Sequence, residues 1–91
     1  MKIPDRFLRA AGEPLGEYPC PACRFLTLSE QPPGTYEICP ICWWEDDPVQ
    51  FSDPDYEGGA NKPSPNQWQQ WFEDQKLPEL VKIGFNFPPR A

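Results

Sequence analysis

The sequence predicts a small α+β domain, and three observations predict it. Two Cys-Pro-x-Cys turns lie fifteen residues apart, a proline–glycine turn lies between them, and an amphipathic stripe follows a helix-capping pattern. The 91 residues suffice for one domain but can bury only a limited core. Fourteen prolines favour turns and extended segments, while four Trp, three Tyr and six Phe compensate for the few aliphatic residues.

The cysteines predict a metal site. Each Cys-x-x-Cys turn presents two sulfurs on one face, and four sulfurs can surround one Zn²⁺ tetrahedrally. The chain contains no histidine, so all four ligands must be sulfur. Such a closed site is typical of structural zinc, because catalytic zinc keeps a position open for water. Iron is the alternative metal, and disulfides or free thiols are the alternative without a metal. The predicted ligands are Cys20, Cys23, Cys39 and Cys42.

The segment between the cysteine pairs predicts a β-hairpin. Residues 24–28 have the composition of a strand, and residues 35–38 are predicted to return beside them. Pro33 and Gly34 supply the fixed and the positive φ that the intervening turn requires. The predicted fold is therefore a knuckled β-hairpin of the zinc-ribbon or rubredoxin-like kind, followed by a C-terminal helix.

The domain boundaries follow from the flanking segments. Residues 1–17 are predicted to be an N-terminal extension, with a short helix over residues 3–11 and a connector. The metal-binding domain is predicted over residues 18–78, and residues 79–91 form a tail that packs on it, with a short turn or strand at residues 80–83. The N-terminus lacks the hydrophobic core of a signal peptide, and no stretch reaches the roughly 20 apolar residues of a membrane span.

Within the domain, the C-terminal helix has a clear start. Ser64 is a candidate N-cap, Pro65 suits the first helical position, and Gln67 has the spacing of a capping box. An apolar stripe continues to about Gln75, and Pro78 is predicted to end the helix. Residues 45–59 show neither helical nor strand periodicity and are predicted to be an irregular acidic loop.

The net charge of −6 constrains the partners. Eleven acidic and two basic side chains lie in residues 29–79, so this region would repel a phosphate backbone. We therefore expect no nucleic-acid partner and no membrane partner. A basic protein partner suits this negative electrostatic field. The lack of a signal-peptide pattern favours a reduced, cytoplasmic location.

The cysteine-rich segments resemble the bacterial cysteine-rich CPCC family. The resemblance runs from Tyr18 to about Phe72 and is most specific in Gly34-Thr-Tyr-Glu-Ile-Cys-Pro-Ile-Cys-Trp-Trp-Glu-Asp-Asp47 and in Gly58-Gly59-Ala60-Asn61. The family's Cys-Pro-Cys-Cys appears here as Cys20-Pro21-Ala22-Cys23, and the usual following glycine is Arg24. The resemblance implies a metal-binding domain and no particular activity.

We expect a non-enzymatic interaction module stabilised by structural zinc, because neither a nucleophile nor a histidine accompanies the carboxylates. One concrete form is an immunity-type inhibitor of a basic bacterial toxin; the alternative is a rubredoxin-like electron carrier with a four-cysteine iron site. Of the adjacent Trp43 and Trp44, one should be buried and the other exposed. The predicted partner-binding residues are Trp44, Glu45, Asp46, Asp47, Asp53, Asp55 and Glu57, and the acidic ones are also a weaker candidate for a second cation site.

Overall fold

A two-stranded antiparallel sheet brackets the first Cys-Pro-x-Cys turn in the computed structural model, which describes residues 12–91. Strand β1 (Tyr18–Pro19) pairs with β2 (Leu26–Leu28), so that Tyr18 lies opposite Leu28 and Pro19 lies opposite Leu26. The strand predicted within residues 24–28 is therefore present. The helix predicted over residues 3–11 lies outside the described residues.

The predicted pairing of residues 24–28 with residues 35–38 is wrong. Ile38, at the end of the second segment, forms an isolated antiparallel bridge with Glu45 instead. Each Cys-Pro-x-Cys turn reverses the chain by itself. The flanking segments therefore pair across a cysteine turn and not across the loop between the two turns.

The acidic stretch contains a short helix that the sequence analysis missed. Helix α1 (Pro48–Ser52) begins after Asp47, whose side chain accepts hydrogen bonds from the amides of Val49 and Gln50. An aspartate N-cap followed by proline is a recognised helix start. Five residues are too few to show apolar periodicity, which explains why the periodicity test failed here.

The predicted capping box is confirmed at the start of α2 (Pro65–Trp71). The Ser64 hydroxyl accepts from the Gln67 amide at 3.1 Å, and the Ser64 amide donates to Gln67 Oε1 at 2.9 Å. These reciprocal bonds satisfy two polar groups that a helix end leaves unpaired.

The helical chain continues past the predicted stop at Pro78, so that prediction is wrong. A π-helical segment (Phe72–Lys76) follows α2, and α3 (Leu77–Lys82) follows in turn. The Leu77 amide donates to Phe72 O, five residues back. This wider turn changes the register just before Pro78, where an unbroken α-helix would set the ring against a carbonyl four residues earlier. Residues 80–83 are accordingly mostly helical and not a strand.

The core is centred on the cysteines. One buried cluster contains all four cysteines together with Ala22, Phe25, Ile41, Trp44 and Phe72. Partly buried side chains from the segment before β1, from the helices and from the C-terminal segment pack against it: Leu15, Trp68, Leu77, Leu80, Phe85 and Phe87. The aromatic residues thus enclose the sulfur cluster, and the helices supply much of that enclosure.

Candidate metal centre

The two cysteine turns, called the first and second knuckle below, form the same backbone hydrogen bonds. In each, the amide of the first cysteine donates to the carbonyl five residues later, and the amide four residues later donates back to that cysteine's carbonyl. The bonds are Cys20 N to Phe25 O (2.9 Å), Arg24 N to Cys20 O (2.9 Å), Cys39 N to Trp44 O (2.8 Å) and Trp43 N to Cys39 O (2.8 Å). Each knuckle is therefore a closed turn that fixes its two sulfurs.

The four sulfurs form one cluster. Cys20 Sγ lies 3.6 Å from Cys42 Sγ, and Cys23 Sγ lies 3.7 Å from Cys39 Sγ. All four sulfurs lie within 4.8 Å of one another, and all four cysteines are buried and free. Zn–S bonds of about 2.3 Å in a tetrahedron place sulfurs about 3.8 Å apart, whereas a disulfide requires about 2 Å. The cluster could hold a metal ion, and these separations exclude disulfides in this structure.

Hydrogen bonds to sulfur support the cluster from outside. The Ala22 amide lies 3.4 Å from Cys20 Sγ, and the Cys42 amide lies 3.5 Å from Cys39 Sγ. The Thr27 hydroxyl donates to Cys39 Sγ at 3.3 Å. Such donors offset negative charge on thiolate ligands and orient them towards a metal. Sequence analysis did not identify Thr27, because its position depends on the pairing of β2 beside the first knuckle.

The crowding of the thiols shifts their protonation. Hydrogen bonds among the thiols, first that with Cys20, raise the pKa of Cys23 and of Cys42. The corresponding bonds, again first that with Cys20, lower the pKa of Cys39, which acts as an acceptor. Four thiolates this close would repel one another strongly, and a cation at the centre offsets that repulsion. The chemistry of the donor set thus fits a positively charged metal ion.

The residues that follow the knuckles adopt a conformation that favours glycine. Arg24 has φ = 72° and Trp43 has φ = 70°, both in the left-handed region. Side chains with a Cβ adopt this region at an energetic cost. The knuckle geometry therefore forms without the glycine usual after the first pair, and both exposed side chains are held at strained positions.

Aromatic rings close the site. Trp44 is 1% exposed and its ring centroid lies 5.9 Å from that of Trp68. The Trp68 indole N–H donates to Cys42 O at 3.0 Å, which ties α2 to the second knuckle. The Phe25 and Phe72 rings meet edge-on at 6.1 Å. Together these rings separate the sulfurs from water, as expected for a structural site.

Three of the residues predicted to bind a partner are buried and not exposed. Trp44 is buried, so the exposed member of the tryptophan pair is Trp43, at 61% exposure. Asp46 is buried and its Oδ2 accepts from the Thr35 amide and hydroxyl at 2.9 and 2.8 Å. Asp47 is buried as the N-cap of α1. All three have internal roles that remove them from an exposed face.

The remaining acidic residues stay on the surface. Asp53, Asp55 and Glu57 are exposed, and Glu45 is half-buried. Asp55 Oδ1 accepts from Nδ2 of the Asn66 side chain at 2.8 Å, which joins the acidic loop to α2. The partner-binding role of these four residues stays a prediction.

A buried polar network that sequence analysis missed shapes the acidic loop. Gln50 is fully buried, and its Nε2 lies within 3.0 Å of the carbonyl oxygens of Tyr56, Asn61 and Pro63. Its Oε1 accepts from the backbone amide and from Nδ2 of Asn61 at 3.2 and 3.0 Å. Asn61 Nδ2 also donates to Glu45 O at 2.8 Å. The network therefore attaches the acidic loop to the segment that leaves the second knuckle.

Gly59 has a steric role in the same region. A Cβ at this position would lie 2.9 Å from Asp47 Oδ2 and 3.0 Å from the Gln50 side chain. Asp47 Oδ2 also accepts from the Ala60 amide at 2.9 Å. The glycine thus permits the close approach through which this loop reaches Asp47.

The fold and the cluster define a small cysteine-rich domain that could hold one metal ion. The chain belongs to the cysteine-rich CPCC family, whose profile matches residues 18–78. No match was found among curated proteins. Within residues 12–91, no helix combines the length and the apolar character needed to cross a membrane.

Proposed function

We propose that this chain is a non-enzymatic protein-interaction module whose fold is stabilised by structural zinc. The observation that carries the proposal is the buried sulfur cluster, in which the Cys20–Cys42 and Cys23–Cys39 sulfur separations, 3.6 and 3.7 Å, match a tetrahedral Zn²⁺ site. Within residues 12–91 all four cysteines are fully buried, so their sulfurs are not exposed to a substrate. A metal in this position would act on stability, by about 10–16 kcal/mol in apparent terms for small zinc modules.

The surface supports an interaction role. Tyr36 and Ile38 are 56% and 53% exposed on the arm that enters the second knuckle, and exposed Trp43 follows the second cysteine pair. Tyr36 and Trp43 both have positive φ, at 55° and 70°. Strained residues with large exposed side chains are often retained for contact with a partner. The acidic excess around them suits a cationic protein, such as a basic toxin held by an immunity-type inhibitor.

Metal analysis tests the first part of the proposal. The purified wild-type chain should contain one zinc per chain and be colourless, and Cys39→Ser should lose most of the metal and unfold at lower denaturant concentration. Ser52→Ala, an exposed helix substitution, is the control and should retain the metal. An iron-loaded, coloured protein whose absorption bleaches on reduction would instead identify the electron carrier, since four thiolates suit either metal.

Binding analysis tests the second part. The zinc-loaded chain should retain a basic protein from its native host at low salt and release it as salt rises, because the attraction between exposed charges is screened. Trp43→Ala should reduce this retention more than Trp71→Ala, which removes another exposed tryptophan, on α2. Equal retention by both variants, or none by the wild type, would count against an interaction surface at the second knuckle.

A further inference from the structure

A small cavity lies between the first knuckle, α1 and the start of α2. Its volume is about 140 Å³. The apolar part of its wall is supplied by Pro21, Phe51, Pro54 and Pro65. Two of its polar residues, Gln50 and Asn66, already use their amides in hydrogen bonds within the protein. The other two, Arg24 and Gln69, have side chains that form no hydrogen bond with the residues that the structure describes, so they are available to a ligand.

Arg24 has an unusual position for an arginine. Its φ of 72° is one that glycine adopts without strain, yet the chain carries a long cationic side chain there. Over residues 12–91 its guanidinium has neither an ion pair nor a stacking ring. Arg90, in contrast, pairs with Glu73 and lies over the Phe25 ring at 4.6 Å. A strained and unpartnered arginine beside a cavity, in a chain of net charge −6, indicates a binding role.

We propose that this cavity binds a carboxylate attached to a short apolar group. The planar fork of the Arg24 guanidinium matches a carboxylate through two parallel hydrogen bonds. Gln69 offers an additional amide, and the proline and phenylalanine walls receive the apolar group. Both a peptide C-terminus and a free small acid carry this chemistry. The site is separate from the sulfur cluster and goes beyond the interaction role proposed above.

Charge favours this ligand over a phosphate. Asp53 and Asp55 are the sequence neighbours of Pro54, which lies in the cavity wall, and both are exposed. They would repel a phosphate dianion more than a singly charged carboxylate. The volume of about 140 Å³ is also below the 300–1,000 Å³ that is common for drug-sized ligands. The cavity therefore suits one residue-sized group.

The test uses the full-length, zinc-loaded chain with N-acetyl-leucine and its matched neutral amide, N-acetyl-leucinamide. Amide shifts in nuclear magnetic resonance spectra should show the acid binding at the cavity residues. The neutral amide should bind at least about tenfold more weakly, because it lacks the charge-assisted pair. Arg24→Gly should lose binding of the acid by a similar factor while retaining zinc, since glycine fits the φ of this position without strain. Lys82→Gln, which removes a cation on α3, should bind as the wild type does.

Further arms identify the source of the carboxylate and can overturn the proposal. Tighter binding of a short peptide ending in leucine would indicate a peptide terminus, whereas equal binding would indicate a free acid, and both results support the site. Arg24→Lys keeps the charge but not the fork and should weaken binding. Equal affinity for acid and amide, unchanged binding by Arg24→Gly, or comparable binding of inorganic phosphate would refute it. The zinc content of each variant, measured in parallel, distinguishes a loss of ligand binding from a loss of the metal.

Discussion

Replacing Gln50 with leucine should destabilise the protein strongly, although Gln50 contacts neither the sulfurs nor the solvent. Leucine has a similar size but no polar atoms. The substitution would remove Nε2, whose two hydrogens are shared among three carbonyl oxygens, and would leave the Asn61 amide groups without the Oε1 acceptor. These groups would remain inside or at the edge of the loop, where water replaces the lost bonds poorly.

The size of the effect follows from the burial of each partner. Leaving a buried polar group unpaired costs about 1–3 kcal/mol. The bonds with Asn61 are buried and should incur this cost fully, whereas the Tyr56 and Pro63 carbonyls are partly reached by water. We expect a loss of about 3–5 kcal/mol in the free energy of unfolding. Domains of this size have about 5–14 kcal/mol in total, so the loss would be a large share.

Urea unfolding of the zinc-loaded protein, followed by tryptophan fluorescence, measures this loss. With a slope of about 1–3 kcal/mol per molar urea, the unfolding midpoint should fall by more than about 1 M. Gln75→Leu, an exposed glutamine in the π-helical segment, is the matched control and should change the midpoint little. A midpoint shift for Gln50→Leu no larger than that of the control would refute the reasoning that this network attaches the acidic loop.

Three further predictions follow from single contacts. Trp44→Ala should lower the free energy of unfolding by about 3–5 kcal/mol, because Trp44 is buried, and Trp43→Ala should lower it by less than about 1 kcal/mol, because Trp43 is exposed. Equal losses in denaturant unfolding would contradict this difference in burial. Ser64→Ala should lower the free energy of unfolding by about 0.5–2 kcal/mol, because the capping box is lost. Ser52→Ala, at an exposed serine, is the control, and an equal effect of the two substitutions would show that the capping box contributes little. Backbone donors, first the Gln50 amide, lower the pKa of Asp47 below its usual 3.8. The ionised Asp47 side chain therefore stabilises the protein fully above pH 3.8, and this contribution is lost as the pH falls through the lowered pKa. The stability difference between wild type and Asp47→Asn should accordingly shrink only below about pH 4. A difference that shrinks between pH 7 and 5 would exclude this origin.

The features that sequence predicts well here are local ones. Each Cys-Pro-x-Cys turn fixes its own pair of sulfurs through hydrogen bonds that span at most five residues. Gly34 has the positive φ that its turn required, at 84°. The capping box at Ser64 and Gln67 likewise depends on four consecutive residues. Such features involve no distant partner, so their residue types are sufficient evidence.

The errors arise where a distant contact or a change of register decides the outcome. Residues 35–38 have strand-like composition, but pairing with the exit from the second knuckle gives them a different partner. Pro78 ends a regular α-helix, but the π-helical segment before it shifts the register and lets the helix continue. The acidity of Asp46 and Asp47 suggested exposure, whereas their carboxylates satisfy backbone amides. Residue type alone does not report a hydrogen-bond partner many positions away.

The buried polar network and the sulfur cluster stabilise different parts of this chain. A metal ion would fix the two knuckles to each other, but it would not fix residues 53–63, which lie between α1 and α2. Those residues have little apolar surface to bury, so the Gln50 and Asn61 amides hold them through backbone carbonyls and amides. Metal removal should therefore loosen the knuckles and the helices packed on them, whereas loss of Gln50 should loosen the acidic loop first. Hydrogen exchange of the two separately perturbed proteins distinguishes these patterns, and identical patterns would mean that the loop and the metal centre unfold as one unit.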